Sequence, residues 1–230
     1  MTGDLGPCSA RPTVIVPLLL ALVVDASAPR ASERPRPHMQ AARADGGLQL
    51  DGRLDEPAWR TVTSSSSFTQ KYPDDGEPPS ERTTVRVLYD RESIWFGIDC
   101  EQVGSPIVTR LSRRDRVWEV DRVEVDLDSR RDGVTGFRFV ATAGGALADA
   151  LLFNDTQASL AWDENWEAAS HVRSDGYSVE IRIPLRALRF ARSPKQTFGL
   201  NVRRFINGRQ EIDEWAYTPR TQPGVVSRFG

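Results

Sequence analysis

Much of the chain after residue 80 alternates between apolar and polar residues, which is the pattern of β-strands with one buried face. The alternation is clear over residues 83–89 and 94–100, with a turn at 90–93 between them. Later alternating stretches are separated by the turn signals Gly144-Gly145, Asp175-Gly176 and Asn207-Gly208. Such dipeptides favour tight hairpin turns. The pattern therefore predicts a succession of antiparallel hairpins.

Short strands with this turn punctuation predict an all-β protein, an antiparallel β-sandwich of jelly-roll type. We expect one or two short helices, at residues 54–59 with Asp55 as N-cap and at residues 184–188. Each sheet should turn its apolar face to the core and its polar face to water. The expected core residues are Val85, Val87, Ile98, Val123, Val125, Phe137, Phe139, Val179, Ile181 and Val202.

The N-terminal region has the features of an export signal. Residues 14–24 read VIVPLLLALVV, with Arg11 before them and Ala26-Ser27-Ala28 after them. This run has the length of a signal-peptide core and is shorter than the roughly 20 apolar residues that span a bilayer. We expect a signal peptide over residues 1–28, a polar, proline-containing linker over 29–47 and a domain over 48–230. The predicted location is the periplasm or the outer membrane.

Charge, cysteine and histidine content exclude several functional classes. Without residues 1–28, 29 of the 30 basic and 30 of the 32 acidic residues remain, with no basic stripe. We therefore expect no nucleic-acid partner. Cys100 is then the only cysteine, which excludes an internal disulfide and a cysteine-based metal cluster. The two histidines, His38 and His171, stand apart, so neither a zinc site nor a histidine-dependent triad is expected.

Six segments, taken in order, resemble family 9 carbohydrate-binding modules. They are LDGRLDEPAW (50–59), TTVRVLYDRESIWFGIDC (83–100), DRVEVDLDS (121–129), GFRF (136–139), GYSVEIRIPLRAL (176–188) and FGLNVRR (198–204). The resemblance covers about residues 48–230 and implies a β-sandwich that binds the end of an oligo- or polysaccharide. Residues 113–115 and 226–230 resemble a subgroup in which this module begins larger bacterial envelope proteins. That implies a C-terminal or separately encoded envelope domain as a further partner.

The resemblance also implies a binding site. Trp118 matches a sugar-stacking tryptophan, whereas Glu124 and Arg138 match residues that hydrogen-bond sugar hydroxyls. The alternation itself places Glu124 and Arg138 on the polar faces of consecutive strands, where they can be cross-strand neighbours. Carboxylate and guanidinium groups suit vicinal hydroxyls, and an indole face suits sugar C–H groups. Packing of Trp118 beside a loop is the alternative, and Asp126 and Asp128 are expected to be solvated.

The family's second stacking tryptophan has no counterpart in this sequence. Its expected position, about six residues before Phe229, falls near Pro223. Of the tryptophans that could replace it, only Trp162 lies in a predicted loop, so Trp162 is the expected substitute. The family's closing strand would begin where this chain ends, so we expect the domain to be truncated at its C-terminal end.

These features favour a carbohydrate-binding module, acting in carbohydrate binding or catabolism, over two alternatives. One is a periplasmic structural or interaction domain of an envelope protein. The other is part of a glycoside hydrolase, but hydrolysis needs two carboxyl groups flanking a cleft, and no such pair stands out. No catalytic residue is therefore predicted. No cofactor is expected, and a calcium site with oxygens from Asp149, Asn154 and Asp155 is the alternative.

Overall fold

Two β-sheets lie face to face in the computed structural model of the protein, so the predicted all-β sandwich is confirmed. The structure describes residues 1–3, 35–110, 113–115, 117–191 and 193–230. Contacts divide the chain into two units, Met1–Arg34 and Pro35–Gly230, and both sheets belong to the second. The predicted signal peptide lies outside the described residues except for its first three. No helix within the described ranges has the length and hydrophobicity that a bilayer span requires.

The described residues form thirteen strands and one short α-helix, α1 (Pro57–Thr61). The strands are β1 (Ala42–Arg43), β2 (Ser64–Ser65), β3 (Thr69–Tyr72), β4 (Thr83–Tyr89), β5 (Ser93–Glu101), β6 (Arg122–Asp128), β7 (Gly136–Thr142), β8 (Leu147–Phe153), β9 (Gln157–Ser159), β10 (Glu167–Arg173), β11 (Gly176–Pro184), β12 (Gly199–Ile206) and β13 (Glu211–Glu214). Short 3₁₀ turns span Leu185–Ala187, Asn207–Arg209 and Val226–Arg228.

The two sheets differ in size and connection. The first has six strands in the order β1-β4-β5-β11-β10, with β2 also paired to β4. The second has seven, in the order β3-β13-β12-β6-β7-β8-β9. All pairs are antiparallel except β1 with β4. The predicted hairpins β4–β5, β10–β11 and β12–β13 are therefore confirmed.

The main core lies between the sheets and contains every residue that the alternating pattern assigned to it. Val85 and Ile98 of the first sheet and Val123, Val125 and Phe139 of the second are completely shielded from solvent. Because side chains alternate across a strand, the residues between them point to the outer faces of the sandwich. The outer faces therefore carry the polar half of the pattern.

A second, smaller core covers the outer face of the first sheet. The α1 residue Trp59 is buried there with Leu88 and Trp95. Gly97 of β5 makes room for it, since a Cβ at that position would lie 2.9 Å from the Trp59 ring. The helix begins at Pro57 after Glu56, and no side chain caps it, so the predicted start at residue 54 with Asp55 as N-cap is wrong. Proline at the first helical position needs no N–H partner.

The first sheet begins within the segment predicted as a linker. Ala42 and Arg43 form β1 and pair with β4 in parallel. The Ala44 N–H donates to the carbonyl of Tyr89 at 2.8 Å, and Ala44 is buried. A two-residue strand has too short a pattern to be recognised in the sequence, which explains why these residues were expected to be solvated.

One carboxylate, Glu180 of β11, fastens the N-terminal segment to the first sheet. Its Oε2 accepts the backbone N–H groups of Asp51 and Gly52 at 3.0 and 2.9 Å, and its Oε1 accepts the Trp59 indole N–H at 2.9 Å. Glu180 is fully buried, so these three donors replace its hydration. The contact holds the second core in place.

Replacing Glu180 by alanine should lower the free energy of unfolding by about 1–3 kcal/mol, because it leaves buried N–H donors without an acceptor. Burial raises the pKa of Glu180 to about 7, so ionisation of Glu180 costs stability as the pH rises from about 4.5 through about 7. Urea unfolding is therefore measured near pH 5, where most of that cost is absent. Glu92→Ala is the control, since the Glu92 side chain is 83% exposed beside the same sheet, and it should change stability little. Equal stability of Glu180→Ala and the unmodified protein would contradict this account.

Candidate functional site

Charged side chains are concentrated on the outer face of the second sheet, at its centre. In β6, Val123 and Val125 fill the core, so Arg122, Glu124 and Asp126 point away from it. Arg203 of β12 lies opposite Glu124, and Arg138 of β7 lies opposite Asp126. Three adjacent central strands thus bring three guanidinium groups and two carboxylates together. We call these five residues the outer ion network.

The network is held by charge-assisted hydrogen bonds. Arg138 binds Asp126 through two parallel contacts, Nε to Oδ1 at 2.7 Å and Nη2 to Oδ2 at 2.8 Å. Arg203 Nη2 contacts Glu124 Oε2 and reaches Asp126 Oδ2 at 3.3 Å. Arg122 Nε donates to Glu124 Oε1 at 3.0 Å. Such paired contacts are among the strongest and best oriented in proteins.

Electrostatics keep Glu124 ionised although it is buried. Desolvation by burial would raise the pKa of Glu124, but the charges of Arg203, Arg138 and Arg122 outweigh it and lower the pKa to about 2. The same pairing raises the pKa of Arg138 despite its desolvation, chiefly through Asp126. Glu124 and Arg138 are therefore both charged at neutral pH.

Two segments cover this outer face on either side of Arg138. Val117 packs on Val140 and Ala148, which pair with each other at one end of β7–β8. Val226 and Phe229 pack on Leu152, which lies at the other end. Arg138 and its partner Ala150 lie between the two covered pairs. The outer ion network therefore lies between residues 113–115 and 117–120 on one side and residues 223–229 on the other, and we call this part of the outer face the outer cleft.

The first of these segments is anchored to the sandwich on several sides. Arg114 Nη2 donates to both oxygens of Asp149, at 3.2 and 3.1 Å, and to the carbonyl of Glu164. The Asp115 N–H donates to the carbonyl of Leu147 at 3.1 Å. Arg122 Nη1 donates to the carbonyl of Trp118 at 2.9 Å. These contacts fix Trp118 at the rim of the outer cleft.

Trp118 is partly exposed, and Arg122 covers part of its indole ring. Its residue surface is 41% accessible. The Arg122 guanidinium lies 5.2 Å from the centre of its ring and 4.1 Å from that of Phe205. Cation–π contacts of this kind orient both partners. The indole therefore offers a ligand only the surface that Arg122 leaves free.

Three of the four site residues predicted from the sequence meet at the outer cleft. Glu124 and Arg138 are diagonal rather than direct cross-strand neighbours, 3.8 Å apart between Oε2 and Nε. Trp162 does not join them. Its ring contacts Phe137 and Phe139 on the core side of the second sheet, with centroids 5.1 and 5.9 Å away. The expectation that Trp162 replaces the missing tryptophan is therefore corrected, because that ring packs against the main core.

Two further corrections concern the acidic stripe of β6. Asp126 and Asp128 were expected to be solvated, but both are buried. Asp126 lies under Arg138 and Arg203, whereas Asp128 accepts backbone N–H groups of residues 130, 132 and 133. Sequence reasoning also missed Arg122 and Arg203. The available signal was the alternation itself, which places both on the same outer face as Glu124.

The two carboxylates considered for calcium, Asp149 and Asp155, have protein partners. Asp149 accepts from Arg114, from the Glu164 N–H and from the Trp166 indole at 3.1 Å. Asp155 accepts the N–H groups of Val225 and Ser227 and so fastens the C-terminal segment. Within the described ranges, no group of three or more histidine, cysteine or acidic side chains is arranged to hold a metal ion.

Comparison with known proteins assigns the chain to a family. The family model described as carbohydrate family 9 binding domain-like matches residues 50–226, which is most of the chain. The chain belongs to this family. The resemblance found in the six sequence segments is thereby confirmed. No curated protein matches the sequence.

Solved structures show the same family 9 fold at low sequence identity. A family 9 module from Caldicellulosiruptor kristjanssonii in complex with glucose aligns with a TM-score of 0.57 at 13% identity, over 83% of this chain and 91% of that one. The complex with cellotriose gives 0.59 at 14% identity, over 84% and 91%. A candidate carbohydrate-binding protein from Bacteroides uniformis ATCC 8492 gives 0.65 at 14% identity, over 83% and 95%.

The charged state of Glu124 predicts a specific dependence of stability on pH. Folding lowers its pKa from 4.5 to about 2. Its contribution is thus complete above the unfolded-state pKa and is lost as the pH falls from about 4.5 through about 2. At about 1.4 kcal/mol per pKa unit, the contribution at neutral pH is on the order of 3 kcal/mol.

This contribution is measured by comparing Glu124→Gln with the unmodified protein in urea near pH 7 and near pH 3. The difference in unfolding free energy should be larger near pH 7, because near pH 3 the carboxyl group of the unfolded chain is largely protonated and part of the contribution is lost. A difference that does not change with pH would show that the guanidinium groups do not stabilise this carboxylate.

Proposed function

We propose that the outer cleft binds the end of a glycan chain, with Trp118 as its apolar contact and the outer ion network as its polar floor. The observation that carries this proposal is the meeting of a half-exposed indole with oriented guanidinium groups on the outer face of the second sheet of a family 9 sandwich. The combination suits sugars, which present apolar C–H faces and a rim of hydroxyls.

Each component has a distinct chemical role in this proposal. The accessible part of the Trp118 ring packs on the C–H face of a sugar. Arg138 and Arg203 donate N–H groups to sugar oxygens, and ionised Glu124 holds Arg203 in position for this contact. Because the network fixes these groups before binding, little side-chain entropy is lost when the sugar arrives.

The opposite wall of the cleft presents no exposed aromatic ring, because Phe229 is buried against Leu152. The segment there contains Pro223, whose carbonyl accepts from Arg228 Nε at 3.1 Å, and it is held by Asp155. Contact with the sugar ring is thus one-sided in this proposal. We expect binding to depend on hydrogen bonds to the floor as much as on stacking.

The wider role remains part of the proposal. The apolar run at residues 14–24 supports export to the periplasm or outer membrane, and family 9 membership supports a role in carbohydrate binding or catabolism. The neighbours' complexes suggest glucose-containing chains such as cellotriose as first ligands. A folded protein that binds no glycan would instead favour a structural or interaction domain of the cell envelope.

Replacing Trp118 by alanine should lower the affinity for an oligosaccharide by about thirtyfold, the effect of losing a typical interface anchor. Tyr89→Ala is the matched control, because Tyr89 has the same 41% exposure but lies on the first sheet. Affinity is measured by calorimetric titration with cellotriose and other oligosaccharides, and melting curves check folding of both variants.

The control variant should bind as the unmodified protein does. Equal affinity of Trp118→Ala and Tyr89→Ala would remove Trp118 from the site. Unfolding of Trp118→Ala alone would show instead that the ring serves packing of residues 113–120.

A further inference from the structure

The carboxylates of the outer ion network lie deeper than its guanidinium groups. The side chains of Asp126 and Glu124 are 1% and 7% exposed, whereas those of Arg138 and Arg203 are 15% and 20% exposed. The arrangement continues at the neighbouring strands, where Lys71 lies above Glu214 with Nζ 3.2 Å from Oε2. A ligand entering the outer cleft therefore meets N–H groups before carboxylate oxygens.

The acceptors of the network are already used, but some of its donors are not. Both oxygens of Asp126 and both oxygens of Glu124 receive a guanidinium group. Arg138 uses Nε and Nη2, and Arg203 uses Nη2. Among the described residues, neither Nη1 has a protein acceptor, and Arg203 Nε is a buried donor with no acceptor. The floor thus has more donors than acceptors.

This imbalance arises from arrangement rather than from net charge. The cations and carboxylates of the outer face are equal in number, Lys71, Arg122, Arg138 and Arg203 against Glu124, Asp126, Asp128 and Glu214. Asp128, moreover, is enclosed by backbone N–H groups of its own loop. Selectivity for an acceptor-rich ligand should therefore come from direct hydrogen bonds to the free N–H groups, and not from a net positive charge of the outer face.

We propose that the sugar recognised at the outer cleft is a hexuronic acid, whose carboxylate binds the free N–H groups of Arg138 and Arg203. The proposal rests on glycan binding at this cleft and specifies its ligand. A carboxylate is planar and only accepts hydrogen bonds, which matches the free edge of a guanidinium group. The hydroxymethyl group of a neutral hexose carries an O–H donor. The carboxylate oxygens that could accept this donor are already hydrogen-bonded to guanidinium groups.

The test compares three ligands on the unmodified protein: one oligosaccharide ending in glucose, the same oligosaccharide ending in glucuronic acid, and the methyl ester of that acid. The ester removes the charge but adds a methyl group, whereas the hydroxymethyl group of the glucose end is uncharged and similar in size to the carboxylate. By calorimetric titration at neutral pH, the acid should bind at least about tenfold more tightly than either partner, as expected for charge-assisted hydrogen bonds. No protein variant is needed for this comparison, so folding does not affect it.

A variant then assigns the effect to the cleft. Arg203→Lys keeps the positive charge beside Glu124 and removes the planar group, so the ratio of acid to ester affinity should fall towards one. Arg182→Lys is the matched control, because Arg182 is a partly exposed arginine of the first sheet that also contacts a carboxylate, and it should keep the ratio. An unchanged ratio in Arg203→Lys would overturn the assignment.

The outcomes separate this inference from the proposed function. Binding of the glucose-ended chain as tightly as the acid would overturn the uronic acid inference and leave glycan binding standing. Absence of binding to all three ligands and to other glycan ends, by a folded protein, would overturn both.

Discussion

The buried carboxylate of Asp126 is the constraint on which the outer face of the second sheet depends. A carboxylate at 1% exposure is costly unless it is paired and hydrogen-bonded, and Arg138 and Arg203 supply both conditions. Arg138 of β7 and Arg203 of β12 therefore both extend to Asp126 of β6. Their guanidinium groups are thereby oriented at the surface, so the requirement for stability also builds the polar floor of the outer cleft.

The two outer faces of the sandwich satisfy buried carboxylates in different ways. On the first sheet, Glu180 receives only neutral N–H groups, and the segment that supplies them covers this part of the face with Trp59. On the second sheet, Glu124 and Asp126 receive cations from the sheet itself, so no covering segment is needed above Arg138. The first sheet is thus packed by the N-terminal segment around Glu180, whereas the second sheet pairs its carboxylates with arginines of its own strands.

The alternating pattern was sufficient for the fold, because burial of one face per strand is repeated over many residues. It located the core, the hairpins and the outward direction of Glu124 and Arg138. It could not show that outward residues such as Asp126 are buried by their own partners, because that depends on which strands are neighbours. Nor could it place Trp162, since a loop residue can fold back onto the core. The short strand β1 and the start of α1 at Pro57 depend on local pairing and packing, which periodicity does not record.

The central claim is that a glycan binds in the outer cleft, and nuclear magnetic resonance tests it most directly. Nitrogen-15 spectra resolve the indole N–H groups of the tryptophans and the Nε–H groups of ordered arginines, so each face of the sandwich carries its own probes. On titration with an oligosaccharide, the account predicts progressive shifts of the Trp118 indole and of Arg138 and Arg203 Nε. The signals of Trp59 and Trp162, which are engaged in the two cores, should stay in place. Shifts confined to Trp95 and Arg182 on the first sheet, with the outer cleft unchanged, would contradict the account.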